Sequence, residues 1–359
     1  MLNATLSKRL GAMQLEIALQ VSAAATLVLV GESGSGKTTI LRLLAGLVKP
    51  DGGRIVVNDE LWYDSDLGLM VSGWQRPIAY VAQDYALFPH LSVFENVAFG
   101  LRAQSRSPVE IREKVGQQLD RFGLSALKVR KPHQLSGGQQ QRAALARALV
   151  LDPAVLLLDE PLSALDLKTR RGVRSELRAT LRSLTCATVY VTHSPMEALV
   201  FGDQITVLAD GRAGQTGTRQ DLLRYPRSAF VAEFMGVNLF QGRIVSRDPT
   251  GLARLRTDAG ELTVMDLESE SDNEVFVAVS PREITIYRQP PGGSAQNVFF
   301  GPVTEMVPEP PNGERVRVAL GTEPPLVAEV TQRAVSALGL EEGALVYAAF
   351  KATGVVPYH

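Results

Sequence analysis

The sequence has almost none of the groups that build disulfides or thiolate metal sites. Its 359 residues include one cysteine, Cys186, so no disulfide can form within the chain. The four histidines, His90, His133, His193 and His359, are scattered, which leaves no Cys/His metal cluster. A reducing, cytosolic compartment fits this usage best. No apolar run approaches the roughly 18–20 residues of a membrane span. Met1-Leu2-Asn3-Ala4-Thr5 opens no signal peptide, so if the protein works at a membrane, another chain spans it. Neither sign of charge dominates: 37 basic and 38 acidic residues give a net charge of −1. That removes the electrostatic argument for nucleic acid or an anionic lipid surface. Residues 1–30 contain no Phe, Tyr or Trp. The length allows two domains, or three.

What is present is sharper. Gly31-Glu32-Ser33-Gly34-Ser35-Gly36-Lys37-Thr38 fits the phosphate-binding pattern G-x-x-x-x-G-K-[ST] at every fixed position. The apolar, β-branched run 25–30 before it reads as a buried strand, and Thr39 to Ala45 after it as a helix. That is the strand–loop–helix context the motif requires. The glycines let backbone N–H groups face phosphate oxygens, and the helix N-terminus adds partial positive charge. Lys37 then reaches the β- and γ-phosphates, and the Thr38 hydroxyl holds Mg²⁺. The bland alternative is a chance Gly/Ser turn.

Along the chain, strand patterns alternate with helical ones. Met13 to Leu19 alternates with period two; 54–58, 77–82, 154–158 and 187–191 read as strands. Between Ser92 and Val150 the pattern is helical, with Ser107-Pro108-Val109-Glu110 a helix start, and 167–184 is a further helix. This predicts a layered α/β cassette over 1–235 with a helical insert at about 88–150. After residue 235 helical periodicity fades. Short alternating strands (275–279, 315–320) and turn clusters at 290–293 and 310–313 predict a small all-β, oligomer-binding-like domain over 236–359. Inside it, Asn238-Leu239-Phe240-Gln241-Gly242-Arg243-Ile244 and Asn297-Val298-Phe299-Phe300-Gly301-Pro302-Val303 share N-x-F-x-G-x-[IV], which suggests two related modules.

Two further stretches narrow the chemistry. Val155-Leu156-Leu157-Leu158-Asp159-Glu160 is an apolar strand ending in two acids. Beside a phosphate loop, Asp159 can hold Mg²⁺ through water and Glu160 can act as general base; otherwise the pair merely caps a strand. Leu135-Ser136-Gly137-Gly138-Gln139-Gln140-Gln141-Arg142 starts a helix, with Ser136 as N-cap. It is either a capped helix and nothing more, or a second anion site. Two phosphate sites invite a nucleotide held between two copies of the protein.

In order, the phosphate loop, Gln83 after a strand, LSGGQQQR at 135–142, VLLLDEP at 155–161, Ser163-Ala164-Leu165-Asp166 and Thr192-His193 resemble the ATPase subunit of ATP-binding cassette (ABC) transporters. The resemblance covers about residues 10–235. It implies a head-to-tail homodimer with two ATP molecules at its interface. Each would lie between Gly31–Thr39 of one copy and Ser136, Gly137, Gly138 and Gln139 of the other, with Asp166 a contact across the interface. It implies Glu160 as base, His193 as γ-phosphate switch, Lys37 on the phosphates, and Thr38, Gln83 and Asp159 around Mg²⁺. Gln83 would also couple to the insert that touches two membrane-spanning permease subunits. An extracytoplasmic binding protein would take part indirectly. No nucleic acid is implied, and the place of work is the cytoplasmic face of the inner membrane. One departure concerns adenine: the family places an aromatic on an early strand, and here only an aliphatic such as Leu10 or Met13 is available.

The C-terminal part, through Val279-Ser280-Pro281-Arg282-Glu283 and the segment 340–353, resembles the β-extension of bacterial and archaeal importer ATPases. The missing N-terminal aromatic, with Leu61-Trp62-Tyr63-Asp64-Ser65 and Gln83 to His90, tilts the resemblance toward molybdate or a related oxyanion (tungstate, sulfate). The alternatives are polyamine, ferric iron or sugar import, and further off a soluble ATPase outside transport. An oxyanion ligand in the C-terminal domain would fall to Ser280, Lys351 and Thr353; a ligand-free dimer brace is the plainer reading. His90 and His133, each beside a proline, are expected to be structural or solvated.

Overall fold

The computed structural model describes residues 1–266, 274–309, 313–355 and 357–359. The chain separates into two compact units, Met1–Arg219 and Gln220–His359. Residues 220–235, read from the sequence as the end of the cassette, therefore group with the second unit.

The first unit contains strands β1 (Leu2–Leu10), β2 (Met13–Val21), β3 (Thr26–Gly31), β4 (Gly52–Val57), β5 (Glu60–Asp64), β6 (Leu69–Met70), β7 (Ile78–Val81), β8 (Val155–Asp159), β9 (Ala187–Val191), β10 (Gln204–Ala209) and β11 (Arg212–Gly217). Its helices are α1 (Lys37–Leu44), α2 (Val93–Ala103), α3 (Pro108–Arg121), α4 (Gly137–Leu149), α5 (Leu167–Arg182) and α6 (Pro195–Phe201). The strands form one sheet in the order β6-β5-β4-β1-β2-β11-β10-β3-β9-β8-β7. From β10 to β7 the neighbours run parallel. At the other end β1, β2, β4 and β5 pair antiparallel.

Strands β3, β8 and β9 are buried along their whole length, which is why they read as unbroken apolar runs. Strand β2 alternates, because an antiparallel sheet can leave one face to water. Helix α1 lays Ile40, Leu41 and Leu43 into the core against Leu29 and Leu157. The helical stretch after residue 92 resolves into α2, α3 and α4. Each begins at a serine whose Oγ accepts a backbone N–H three residues on: Ser92 from Glu95, Ser107 from Glu110, Ser136 from Gln139. The parallel register sets Val81 beside Leu158, Asp159 beside Val191, and Leu29 beside Val191. The loops leaving β3, β7, β8 and β9 thus emerge along one edge, at the carboxyl ends of the strands, where open α/β sheets bind ligands.

In the second unit, α7 (Arg219–Arg224, which starts at the division) and α8 (Ala229–Met235) precede β12 (Asn238–Arg247), β13 (Leu252–Thr257), β14 (Gly260–Met265), β15 (Val275–Val279), β16 (Thr285–Tyr287), β17 (Asn297–Pro308), β18 (Arg315–Leu320) and β19 (Leu326–Thr331). Helix α9 (Gln332–Leu338) and β20 (Leu345–Phe350) follow. There are two sheets, β14-β13-β12-β15 and β16-β20-β17-β18-β19, and they share one core that includes Leu255, Val264, Val277, Val318 and Val346. Among the described residues the all-β character expected after residue 235 is therefore present, beside one short α-helix, α9. Of the expected turn cluster at 310–313, residues 310–312 lie outside the described residues.

The repeated heptapeptide occupies equivalent places in the two sheets. Asn238 opens β12 and Asn297 opens β17. Each strand has an irregularity in register just past the seventh position, between Ile244 and Ser246 and between Val303 and Glu305. At the fifth position a side chain has no room: a Cβ on Gly242 would lie 2.2 Å from the Arg256 carbonyl oxygen, and one on Gly301 2.5 Å from that of Gly321. Asn297 takes Thr263 of β14 by both backbone groups, donating to its carbonyl and accepting from its N–H, each at 2.7 Å. Asn238 does the same to Val327 of β19, at 2.9 and 2.7 Å. Strands β14 and β19 are edges of their sheets, so each amide stands in for the missing neighbour strand.

Candidate functional site

The phosphate loop joins β3 to α1. Gly36 sits at the helix entry with φ 98°, a left-handed conformation that suits glycine. No side chain caps α1, so the first N–H groups of the helix are left for an anion. Lys37 is 8% exposed, and its ammonium donates to the carbonyls of Gly31 (2.9 Å) and Glu32 (2.7 Å) and approaches Ser35 Oγ (3.3 Å). Burial lowers its pKa below that of an ordinary lysine; the carboxylates of Glu160 and Asp159 oppose the shift. Glu32, Ser33 and Gly34 are exposed and Ser35 is buried; Thr39 is half-buried on the first turn of α1.

Thr38 Oγ1 donates to Asp159 Oδ1 at 3.0 Å, and the Tyr80 hydroxyl donates to Asp159 Oδ2 at 2.8 Å. Both oxygens of this buried carboxylate are thereby oriented. Burial, then the bond to Asp159, push the Tyr80 pKa up to about 12, so it stays a donor at neutral pH. A cleft of about 580 Å³ opens here, with Thr38, Arg42, Asp159 and Gln83 on its walls. A larger groove of about 900 Å³ lies on the sheet among Asn3, Thr5, Gln20 and Thr206 and contains none of these residues.

Glu160 follows Asp159 in a left-handed conformation (φ 46°), uncommon for a non-glycine residue and a mark of local constraint. Its carbonyl accepts from the N–H (3.0 Å) and hydroxyl (2.8 Å) of Ser163. Its Oε2 meets His193 Nδ1 at 3.1 Å and Gln83 Nε2 at 3.5 Å. The structure thus brings Gln83, Glu160 and His193 together, from the ends of β7, β8 and β9. His193 is held from behind by residues on either side. Glu197 of α6, 4% exposed, accepts from the hydroxyls of Tyr190 (2.9 Å) and Thr192 (2.7 Å), and Thr192 Oγ1 in turn accepts from the Ser194 N–H at 3.0 Å.

Ser136 and Gln139 form a reciprocal capping box at the start of α4. Among the described residues no hydrogen bond joins Ser136–Gln139 to 31–39 of the same chain. Asp166 caps α5, accepting from the Thr169 N–H at 3.0 Å. Near the phosphate loop, Met13 rather than Leu10 is the neighbour: a Cβ on Gly36 would lie 3.6 Å from Met13 Cε and 2.9 Å from Leu15 Cδ1. In the second unit, Ser280 caps the turn that begins at Pro281, while Lys351 and Thr353 are exposed past the end of β20. Ser280 follows β15, a strand of the other sheet, and among the described residues no hydrogen bond links the three. His90 and His133 are both exposed.

The sequence reading missed Tyr80, Tyr85, Arg147 and Glu197. Tyr80, Tyr85 and Glu197 lie at short intervals from Gln83 and His193, but nothing in the sequence marks their roles. Tyr85 and Arg147 look in the sequence like a loop aromatic and a helix surface charge.

Comparison with known proteins places two families on the chain. The ABC transporter family model matches residues 15–163, and the TOBE domain model matches 293–356. The spermidine/putrescine import ATP-binding protein PotA of Escherichia coli (strain K12) is 40% identical over 303 residues, 82% of this chain and 79% of its own length. PotA of Shigella flexneri matches to the same extent. Among solved structures, the dimeric post-hydrolysis state of the ATP-binding cassette MJ0796 bound to ADP and Pi is 31% identical, with a TM-score of 0.51 over 61% of this chain and 98% of that one.

Proposed function

The chain belongs to the ABC transporter family, as an import ATP-binding subunit with a TOBE domain, and on that premise we propose how its residues divide the work and what it helps to carry. It is an ATPase. The observation that carries the mechanism is the meeting of Gln83, Glu160 and His193 beside Thr38 and Asp159, at the edge where the phosphate loop emerges.

Lys37 and the N–H groups of residues 34–38 bind the β- and γ-phosphates. The Lys37 ammonium, held at the loop by the carbonyls of Gly31 and Glu32, is placed to meet phosphate oxygens. Glu160 is the general base that takes the proton of the attacking water, and His193 and Gln83 orient the γ-phosphate side of the cleft. Thr38 Oγ1, the Asp159 carboxylate and the Gln83 amide are all hard oxygen donors, which fits Mg²⁺ held by few protein groups and by phosphates. Bound there, Mg²⁺ would neutralise charge on the β- and γ-phosphates. Ser136, Gly137, Gly138 and Gln139, which have no role toward the phosphate loop of their own chain, close on the nucleotide of a second copy, with Asp166 at the same interface. Met13 covers the adenine in place of an aromatic. Two copies work with two permease subunits, contacted through residues 84–105, at the cytoplasmic face of the membrane. A binding protein outside takes part indirectly. Among the described residues no helix is long and apolar enough to cross a membrane.

The cargo is a polyamine. This replaces the oxyanion expectation, which the relatives do not support: the similarity to PotA runs through 82% of the chain. Two measurements test the reading. Glu160→Gln should lower ATP hydrolysis by about 10²–10⁴-fold, the range of general-base catalysis, while ATP still binds. Cells lacking this chain should lose uptake of radiolabelled spermidine and putrescine and keep that of molybdate. Loss of molybdate uptake alone would restore the oxyanion reading.

A further inference from the structure

Residues 83–91, between β7 and α2, are fastened at three points. At the far end Asn96, 1% exposed, accepts from the Phe88 N–H (2.8 Å) and donates to the carbonyl of Phe88 (3.1 Å). In the middle Arg147 of α4, the helix that begins at LSGG, donates to the carbonyls of Tyr85 (2.8 Å) and Ala86 (2.7 Å). Its guanidinium also lies over the Phe88 ring, 5.3 Å from the centroid. At the near end Tyr85 is 3% exposed and its hydroxyl donates to the Pro161 carbonyl at 3.2 Å. Tyr85 and Ala86 both have positive φ, 63° and 43°. Neither residue has the short polar side chain that lets Asn or Asp hold such a conformation locally, so surrounding contacts impose it here.

We infer that Tyr85 is a positioning residue for Glu160, and that Arg147 holds the turn which carries it. The inference rests on Glu160 being the base. Glu160 is itself left-handed, so the direction of its carboxylate depends on how the backbone around it is gripped. Ser163 grips the Glu160 carbonyl from the loop that follows; Tyr85 grips the next carbonyl, that of Pro161, from the loop after β7. The same loop ends against α2, where the Phe88 and Phe99 rings lie 4.4 Å apart and Phe99 is 47% exposed. Burial pushes the Tyr85 pKa up to about 12, so the hydroxyl is a donor throughout the neutral range.

The test uses the purified full chain. Tyr85→Phe removes the hydroxyl and keeps the buried ring; Arg147→Lys keeps the charge and loses the paired N–H groups. Turnover, KM for ATP and binding of a non-hydrolysable ATP analogue are measured on each. Tyr85→Phe should lower kcat about two- to ten-fold, the worth of one hydrogen bond, with KM and analogue affinity unchanged. Arg147→Lys should lower kcat to a similar degree. The double variant should be no slower than the slower single one, because both act through one turn. Unchanged kcat in Tyr85→Phe, with or without a lower melting temperature, overturns the inference, as does a fully additive double variant. If instead Glu160→Gln hydrolyses ATP as fast as the native chain, the assignment of the base has failed and the positioning role falls with it. The two failures are told apart by that one control.

Discussion

The asparagine pair in the C-terminal unit permits a worked estimate. Replacing Asn297 by alanine removes two hydrogen bonds of 2.7 Å and leaves both the N–H and the C=O of Thr263 without a partner. Asn297 is 2% exposed, so little water can enter in its place without rearrangement. An unsatisfied buried backbone group costs about 1–3 kcal/mol. Thr263 is only half-buried, which lets solvent recover part of that, and a total of about 2–4 kcal/mol follows. For a unit of this size each kcal/mol moves the midpoint by roughly 3–5 °C, so the C-terminal unit should melt roughly 6–20 °C lower. Asn238→Ala, which frees Val327 in the same way, should cost a similar amount. Asn297→Asp should be at least as harmful as alanine, since it keeps the acceptor but sets a carboxylate against the Thr263 carbonyl. Scanning calorimetry of the full chain reads this, with an ATP analogue added to raise the cassette transition away from the other. Shifts below about 2 °C in both alanine variants would refute the clamp argument. A large shift in one and none in the other would refute the equivalence of the two modules.

Two further outcomes follow from the cassette. Glu197→Gln keeps the shape but replaces the charged acceptor of the Tyr190 and Thr192 hydroxyls by a neutral one, costing about 1–3 kcal/mol of stability; because Thr192 and Ser194 flank His193, ATP turnover should fall about ten-fold while ATP affinity holds, and unchanged turnover would detach Glu197 from the site. Alkaline pH should unfold the cassette by way of its buried tyrosines. Burial raises the Tyr85 pKa from 10.0 to about 12, so its contribution is complete below pH 10 and is lost as pH rises through 12. Two units correspond to about 2–3 kcal/mol. Urea denaturation at pH 9 and pH 12 should therefore show a smaller fall in Tyr85→Phe than in the native chain, and equal falls would contradict the assigned burial.

The parts of the cassette that were legible in the sequence share one physical cause. Strands β3, β8 and β9 are buried on both faces, so their composition is forced, and the residues that leave their ends can be found by counting from them. Asp159–Glu160 is found in that way, whereas Gly31–Thr38 is found by its motif and Thr192–His193 by the family resemblance. The unit boundary was not. Composition changes near residue 235, but Leu222, Val231, Ala232 and Met235 are already buried, and the chain divides at 219. Short helices carry too little periodicity to say against which core they pack. The turn at Tyr85 and Ala86 was equally hidden, because neither residue favours positive φ and the conformation is imposed by Arg147 and Pro161 from distant parts of the chain.

The cargo is a different kind of question, and the structure explains why the residues behind the oxyanion leaning do not report on it. That leaning rested on the missing N-terminal aromatic, on Leu61 to Ser65 and on Gln83 to His90. Trp62 and Tyr63 are each 3% exposed inside the cassette core, where the Tyr63 hydroxyl donates to the Pro50 carbonyl at 3.1 Å; Tyr85 is buried as well. Side chains so placed answer to packing and to the hydrolytic site, and an ATPase hydrolyses the same nucleotide whatever crosses the membrane beside it. In the proposed transporter the transported molecule is touched by other chains, so its chemistry exerts no direct selection on Trp62, Tyr63 or Tyr85. Of the three, Tyr85 alone belongs to the loop that carries Gln83, where it bonds the Pro161 carbonyl. Similarity over 303 residues, spanning both units, is the stronger guide to cargo, since it includes the surfaces on which partner chains act.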